Sequence, residues 1–350
     1  MSNSLIKKFN SKKKPFIVAE ISANHSGSLK NAISLIKKAH KAGASAVKIQ
    51  TFSPDCMTLD HSSKDFFIKD KKNLWNGSRL YDLYKRNQTN FNWHKNLFYE
   101  AQKNGILLFS SPFSEKGVEI LEKFKCPIYK IASFELNHFP LLKKIAKTQK
   151  PIIMSTGMAS LQEIKRSFKF LKKHGAKNIS LLKCTSSYPA EYSEMNLETI
   201  KELKRIFKCR VGISDHSIGI GPSIASLYNG ASIIEKHFTL NKNNSPDGLF
   251  SLDENELKSL VLNSNAAFLA KGKIKFGPTK SEKRFIKRRR SIYVSSEIKK
   301  GEKFTAKNIK VVRPGHGMDP KNYYNILGKK ASVYCRFGTP LKKNMVSKQK

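Results

Sequence analysis

Short apolar runs typical of buried strands alternate with amphipathic, helix-type segments over residues 16–270 of this 350-residue chain. Eight strand-type runs occur, and a helix-type segment follows each of them. This alternation predicts a parallel sheet, because two parallel strands need a crossover connection between them. Eight such units fill the length of about 250 residues that a closed (β/α)8 barrel, the TIM barrel, requires. The alternative, an open doubly wound sheet, is disfavoured because no Gly-x-Gly-x-x-Gly turn follows the first strand.

The composition changes after the last helix-type segment. A dense basic run covers residues 283–290, and short β-type pieces separated by glycine turns follow it. We therefore expect a barrel domain over residues 1–276, a linker over residues 277–290 and a small β-rich domain over residues 291–350.

The chain is strongly basic, with 66 Lys and Arg against 26 Asp and Glu and a formal net charge of +40. This charge leaves open a nucleic-acid-binding protein, but the lysines are spread along the whole chain rather than clustered. The five cysteines show neither metal-type spacing nor a disulfide framework. No signal-peptide core and no run of transmembrane length is present. We expect a cytoplasmic protein that binds neither nucleic acid nor a membrane.

Two of the strand-type runs end in a histidine. His216 ends the run over residues 210–216, and His237 lies near the end of the run over residues 232–238. Two parallel strands joined by one crossover place these residues side by side at one edge of the sheet, where parallel sheets bind their ligands. The pair therefore predicts a divalent metal site with open positions for water or substrate.

Polar side chains also stand at the ends of the other strand-type runs. Lysines and hydroxyls gathered at one barrel mouth suit a phosphate or carboxylate ligand. A long irregular segment over residues 52–88 follows the second run, and loops of this length are usually functional. The strand-end residues are Glu20, Lys48, Gln50, Ser110, Ser111, Lys130, Ser133, Ser155, Thr156, residues 183–186, Ser214, His216, Lys236 and His237.

These residues lie within motifs that resemble the sialic acid synthase family, the phosphoenolpyruvate-condensing nonulosonate synthases. The small domain is similar to the antifreeze-like (SAF) module of that family. The motifs are Ala19-Glu20-Ile21 with Asn24-His25, Val47-Lys48-Ile49-Gln50-Thr51, Ser111-Pro112-Phe113, Tyr129-Lys130-Ile131, Ser155-Thr156-Gly157-Met158, Ser214-Asp215-His216, Glu235-Lys236-His237-Phe238-Thr239, Pro246-Asp247 and Arg313-Pro314-Gly315-His316-Gly317.

Other details resemble the branch of the family that forms pseudaminic acid. Ala132-Ser133-Phe134-Glu135 stands where neuraminate synthases tend to have Gly-Ser-Gly-Glu, and Ser186 replaces their common Asn. The resemblance implies a transferase that condenses phosphoenolpyruvate with an open-chain 2,4-diacetamido-2,4,6-trideoxy-L-altrose and water, and that releases phosphate by C–O cleavage. Phe134 makes the sugar pocket more apolar, which fits a 6-deoxy sugar.

The resemblance also implies a role for each matching residue. His216 and His237 are expected to hold a divalent cation, Mn²⁺ or alternatively Mg²⁺ or Co²⁺, and Glu20 is expected to manage protons beside it. Arg313 is expected to reach the sugar from the small domain of a partner subunit, in a domain-swapped homodimer. The phosphoenolpyruvate ligands are expected to be Lys48, Ser111, Lys130, Ser133, Ser155, Ser186 and Ser214. The sugar contacts are expected to be Gln50, Glu135, Tyr188, Asp247 and Arg313.

Three alternatives remain open on the sequence. A neuraminate or legionaminate synthase would share every catalytic residue and differ only in the sugar. A nucleic-acid-binding protein would account for the charge but not for the carboxylates and imidazoles at the strand ends. A catalytically inactive barrel would not need Glu20, Lys48, Lys130, His216 and His237.

Overall fold

The computed structural model describes residue 6 and residues 9–11, 13–70 and 75–347 of the chain. It divides into two compact units between Gly272 and Lys273, so the predicted linker falls within the second unit.

The first unit is a closed barrel of eight strands in sequential order, in which each strand pairs in parallel with the next and the eighth pairs with the first. The predicted (β/α)8 barrel is therefore confirmed. The strands are β1 (Phe16–Glu20), β2 (Ala46–Thr51), β3 (Leu107–Pro112), β4 (Tyr129–Ile131), β5 (Ile152–Ser155), β6 (Ile179–Cys184), β7 (Arg210–Asp215) and β8 (Ile233–His237).

Helices connect successive strands, and their apolar faces pack against the barrel in one continuous core. Three of the described helices lie between β2 and β3. The helices of this unit, within the described residues, are α1 (Leu29–Lys41), α2 (Pro54–Met57), α3 (Leu80–Asn87), α4 (His94–Asn104), α5 (Glu115–Lys123), α6 (Phe139–Lys147), α7 (Leu161–Lys173), α8 (Thr199–Phe207), α9 (Gly221–Tyr228) and α10 (Glu254–Ala270).

Local chemistry explains several boundaries of these elements. A capping box begins α7, where the Ser160 side chain and the Glu163 side chain each bond the other's backbone N–H. Gly105 ends α4 with a φ of 69°, a left-handed conformation that glycine adopts without steric cost. Strand β4 is shorter than the predicted run over residues 128–133. The chain turns there into a 3₁₀ helix, Ser133–Glu135, because the Glu135 N–H bonds Ala132 O rather than a neighbouring strand.

The amino-terminal end of the barrel is closed by aromatic and guanidinium groups. The Phe9 ring packs edge-on against Phe16 at 5.1 Å between centroids. The Arg210 guanidinium lies 4.9 Å from the centre of the Phe9 ring and donates a hydrogen bond to Phe9 O. Phe9 is almost fully buried and forms part of the barrel core.

Replacing Phe9 by Ala is expected to lower the free energy of unfolding by about 3 kcal/mol, through lost burial and the cavity that remains. The strand ends that carry the predicted site lie at the opposite end of the barrel, so turnover at 25 °C should stay unchanged. Chemical denaturation measures the first quantity and a turnover assay the second. Phe9→Leu, which keeps most of the apolar volume, should lose much less stability. Equal stability of the Ala variant and the parent would contradict the packing role.

The second unit has its own small core. Strands β9 (Ser291–Val294) and β10 (Ile309–Val312) pair in an antiparallel sheet, and a single short α-helix among the unit's described residues, α11, covers Tyr323–Ile326. The core side chains of the unit include Ile292, Val294, Phe304, Ile309 and Leu341.

Across the described part of the chain, no helix is both long enough and apolar enough to cross a membrane.

Candidate active site

A ring of polar side chains occupies the barrel interior near the carboxyl ends of the strands. The strand register pairs Glu20 with both Lys48 and His237, and it pairs Ser214 with Glu235. Side chains at paired positions of parallel strands point to the same face, so these groups share one layer. We call this set the polar layer, and all of its members are buried: Glu20, Lys48, Lys130, Ser155, Ser214, Glu235 and His237.

Three strand-end residues in the predicted set point away from the polar layer. Because side chains alternate along a strand, the neighbours of inward residues face the helices. Ser110 Oγ bonds Thr51 Oγ1 at 2.6 Å, and Thr156 Oγ1 donates to Leu182 O at 3.1 Å. Lys236 Nζ lies 3.3 Å from Asp215 Oδ1. The expectation that Ser110, Thr156 and Lys236 line the mouth is therefore wrong.

Glu235 lies between the two buried lysines. Its Oε1 is 3.8 Å from Lys48 Nζ and 3.8 Å from Lys130 Nζ, and it accepts a hydrogen bond from Ser214 Oγ at 3.0 Å. Burial alone would raise the pKa of this carboxyl, but Lys130 and Lys48 outweigh it and lower the pKa to about 2. Glu235 is thus the ionised counter-charge of both ammonium groups.

The sequence interpretation gave Glu235 no role in the site. The available signal was a carboxylate inside the apolar run Ser232-Ile233-Ile234-Glu235, where a charge is costly unless it is paired. The run carries Glu235 and Lys236 side by side. Only the strand register shows that Glu235 faces inward.

Glu20 and Lys48 form a short ion pair, with 2.5 Å between Oε2 and Nζ. Burial raises the pKa of Glu20 above its usual value, although Lys48 opposes the shift. Burial would lower the pKa of Lys48, yet the Glu20 and Glu235 carboxylates raise it overall. Lys48 therefore stays a cation, while Glu20 is the carboxyl that more readily holds a proton.

Serine hydroxyls surround the lysines. Lys48 Nζ donates to Ser111 Oγ at 3.2 Å, and Lys130 Nζ donates to Ser155 Oγ at 2.7 Å. Each ammonium therefore has a hydroxyl beside it, and together the two pairs offer several donors to one anion.

A second hydroxyl pair gathers at Gly157. Gly157 N–H donates to Ser133 Oγ at 3.1 Å. A Cβ atom on Gly157 would lie 2.7 Å from Ser133 Oγ and closer still to Ser186 Oγ. This position therefore requires glycine so that the two hydroxyls can approach the backbone.

Replacing Gly157 by Ala is expected to reduce kcat/KM for the anionic substrate by about 10- to 100-fold, because both hydroxyls must shift to admit the methyl group. Steady-state kinetics would show most of the change in KM for that substrate. Gly221→Ala is the matched control, since a Cβ there meets no atom within 4 Å. Kinetics of Gly157→Ala that match those of Gly221→Ala would contradict the close-packing argument.

The two imidazoles lie together, with ring centroids 5.2 Å apart. His216 Nδ1 is 3.0 Å from Thr185 O, and His237 Nδ1 is 3.0 Å from Asp247 Oδ2. Both acceptors suit a proton on Nδ1, and in the neutral imidazole this leaves Nε2 with a free lone pair. The donor set therefore fits a divalent cation. Among the described residues no group of three or more His, Cys, Asp or Glu side chains could hold one, so water or substrate would supply the remaining ligands.

A cavity of about 530 Å³ reaches the imidazole of His237. Residues of the irregular segment after β2 line part of it with apolar and aromatic side chains, among them Phe52, Met57, Trp75 and Tyr84. The predicted sugar contacts that line the same cavity are Gln50, Glu135, Tyr188 and Asp247. Ser186, a predicted phosphoenolpyruvate ligand, lines it as well.

Glu135, Tyr188 and Asp247 give the cavity its polar and aromatic character. Burial raises the pKa of Glu135 to about 7. The Tyr188 ring lies against the His216 imidazole at 4.4 Å between centroids. Asp247 accepts a hydrogen bond from His237 as well as lining the cavity, and its backbone N–H donates to Asn24 Oδ1. The cavity thus offers an aromatic wall, a carboxyl that titrates near neutrality and access to one imidazole.

Arg313 directly follows β10 in the second unit, where its side chain is exposed. Its expected contact with the sugar stays a prediction, as do the ligand roles of the other site residues.

The family models match most of the chain in two segments. The NeuB family model matches residues 35–276. The chain belongs to the NeuB family. The SAF domain model matches residues 289–347, which lie in the second unit. The family predicted from the sequence motifs is therefore confirmed.

Relatives within the NeuB family match over nearly full length. The pseudaminic acid synthase of Campylobacter jejuni is 45% identical and covers 95% of this chain and 97% of its own length. The pseudaminic acid synthase of Helicobacter pylori is 43% identical and covers 93% of this chain and 96% of its own. The crystal structure of N-acetylneuraminic acid synthetase from Leptospira borgpetersenii matches with a TM-score of 0.69 at 31% identity, over 78% of this chain and 90% of that one.

Proposed function

We propose that this NeuB family chain is a pseudaminic acid synthase. It condenses phosphoenolpyruvate with the open-chain form of 2,4-diacetamido-2,4,6-trideoxy-β-L-altropyranose and water, and it releases phosphate by C–O cleavage. The supporting observation is the polar layer, with two buried lysines and serine hydroxyls, beside a cavity that reaches His237. Identity of 43–45% to two pseudaminic acid synthases supports the choice of sugar.

Phosphoenolpyruvate carries a carboxylate and a phosphate, and the polar layer supplies matching charges. Lys48 and Lys130 bind the anionic groups, with Ser111 and Ser155 already hydrogen-bonded to their ammonium groups. Ser133, Ser186 and Ser214 complete the cradle. Binding in this orientation presents C3 of phosphoenolpyruvate to the sugar aldehyde in the cavity.

The remaining side chains orient the sugar and move protons. His216 and His237 would hold a divalent cation, Mn²⁺ or alternatively Mg²⁺ or Co²⁺, which polarises the aldehyde oxygen when bound. Glu20, the carboxyl with the raised pKa, exchanges a proton near the reacting groups. The sugar contacts are Gln50, Glu135, Tyr188 and Asp247, and Arg313 from a partner subunit in a domain-swapped homodimer. We place the enzyme in the cytoplasm.

The second candidate is a neuraminate or legionaminate synthase with the same catalytic groups. The apolar part of the cavity wall favours a 6-deoxy sugar, with a methyl group at C6, over N-acetylmannosamine, which carries a hydroxyl there. Phe134, Phe52 and Trp75 all line this cavity, and an unpartnered hydroxyl buried against such a wall costs about 1–3 kcal/mol.

Phosphate release from phosphoenolpyruvate tests the proposal. The purified full chain is assayed with the diacetamido-trideoxy-altrose, with N-acetylmannosamine and with the legionaminate precursor, each with and without a chelator. We expect turnover with the first sugar that stops on chelation and returns with Mn²⁺. A clear preference for N-acetylmannosamine or for the legionaminate precursor would overturn the choice of sugar. Absence of phosphate release with every sugar would overturn the proposal that this chain condenses phosphoenolpyruvate with a sugar.

A further inference from the structure

A buried ion pair lies behind the two imidazoles, on the opposite face of their strands. Lys236 Nζ is 3.3 Å from Asp215 Oδ1, and both side chains are fully buried. Asp215 immediately precedes His216 in the chain, and Lys236 immediately precedes His237. The strand register also pairs Asp215 with Lys236. The pair therefore links the backbones that carry the two imidazoles.

Asp215 is bonded to three further groups around it. Its Oδ1 accepts hydrogen bonds from Ser217 N at 2.9 Å and from Ser217 Oγ at 2.6 Å. Its Oδ2 accepts one from Ser223 Oγ, on α9, at 2.5 Å. Lys236 Nζ also donates to Ser217 O. One carboxylate thus fixes the end of β7, the loop that follows it and the first turn of α9, and its lysine partner fixes the end of β8.

The ion pair lies at the end of the pairing between β7 and β8, directly before the two histidines. Asp215–Lys236 is the last registered pair between β7 and β8, so no strand pairing between them reaches His216. The Nδ1 anchors of the imidazoles are different groups, Thr185 O and Asp247 Oδ2. Those anchors orient each ring separately. The ion pair and its bonds to Ser217 tie the two ring-bearing backbones to one another.

A buried ion pair is a weak source of stability, because desolvating both charges offsets most of their attraction. A hydrophobic pair would fill the same space between strand and helix at no electrostatic cost. The network is directional, however, since each bond has a fixed donor and acceptor. It therefore limits the separation of the two histidine backbones more tightly than apolar packing would.

We propose that Asp215 and Lys236 are positioning residues that hold His216 and His237 at the spacing needed to bind one divalent cation, with Ser217 and Ser223 bracing the pair. The inference rests on the metal role of the two histidines in the proposed function. It assigns a task to two residues that touch neither substrate nor cation.

The principal test replaces Lys236 by Met in the full chain, which keeps most of the side-chain volume and removes the charge. Mn²⁺ affinity is measured from the electron paramagnetic resonance signal of free Mn²⁺. We expect affinity to weaken by about 10-fold or more, the range seen when groups that support metal ligands are lost. The kcat at fixed Mn²⁺ should fall, while KM for phosphoenolpyruvate should change little. Ser223→Ala, which removes one hydrogen bond and no charge, should shift the affinity in the same direction by less.

Arg210→Met is the matched control, because Arg210 ties the same two strands at their other ends. Its Nε donates to Ser232 Oγ and its Nη2 to Ser232 O, both at 2.9 Å. This variant should lower the melting temperature and leave Mn²⁺ affinity unchanged. If Lys236→Met does not fold, Ser223→Ala decides the question alone.

Two results would overturn the inference. One is parental Mn²⁺ affinity in both Lys236→Met and Ser223→Ala. The other is an equal loss of affinity in Arg210→Met, which would show that the ion pair affects Mn²⁺ binding only through the overall stability of the fold. If the parent itself binds no Mn²⁺, the metal role in the proposed function fails first, and that result is distinct from the other two.

Discussion

Phosphate release from phosphoenolpyruvate is expected to fall about 1,000-fold or more when His216 or His237 is replaced by Ala. Each ring has Nδ1 in contact with an oxygen acceptor, Thr185 O or Asp247 Oδ2, so Nε2 is the nitrogen that each would offer to the proposed cation. Loss of one of the two proposed ligands would weaken binding of the cation that polarises the aldehyde oxygen when bound, a contribution of several kcal/mol. Steady-state release of phosphate at saturating substrates and Mn²⁺ measures the effect.

The fold should survive both substitutions, because neither imidazole carries a barrel-closing contact. Circular dichroism and the melting temperature would show this. His40→Ala is the matched control. It removes the same imidazole from an exposed position on α1, away from the site. Full activity of His216→Ala or His237→Ala would remove the metal role from the proposed function.

The second large effect is expected at Glu235. Replacing it by Gln removes the carboxylate that faces the ammonium groups of Lys48 and Lys130, and both cations stay buried. Removing one partner of a buried ion pair typically costs about 3–5 kcal/mol of folding free energy. Urea denaturation near pH 7 measures this loss. Glu198→Gln, which breaks an exposed pair with Lys201, should change stability by less than about 1 kcal/mol.

The loss of unfolding free energy in Glu235→Gln is expected to depend on pH. The folded pKa of Glu235 is about 2, below its usual value of 4.5, so the folded state binds fewer protons than the unfolded state between these values. The stabilisation from this group is therefore complete above about pH 5 and is lost as the pH falls towards 2. The difference in unfolding free energy between the parent and Glu235→Gln should shrink by about 3 kcal/mol across this window. A difference that does not change with pH would contradict the lowered pKa.

The alternation of strands and helices was readable from the sequence because each element follows from local pattern. Apolar runs of β type separated by amphipathic segments force a parallel sheet, and eight of them close a barrel. The same local reading placed His216 and His237 together, since one crossover separates their strands. It also placed Lys48 and Lys130 at one mouth, because every parallel strand ends on the same side.

The tertiary structure decided which of two neighbouring residues enters the site. The sequence presents Glu235 beside Lys236 and Ser110 beside Ser111. The strand pattern names no inward member of either pair, and only the family resemblance singled out Ser111. Inward and outward positions alternate along a strand, so the choice depends on the register between strands. The register turns Glu235 towards Lys48 and Lys130, and it turns Lys236 outward to Asp215.

The sequence alone therefore determined the family, the barrel and the residue types at its mouth, because these follow from patterns within a few residues of each other. It did not determine the counter-charge of the two lysines, the crowding at Gly157 or the side chains from residues 52–88 that line the cavity. Those contacts join residues far apart in the chain. Their distances exist only once the barrel has closed and fixed the register of all eight strands.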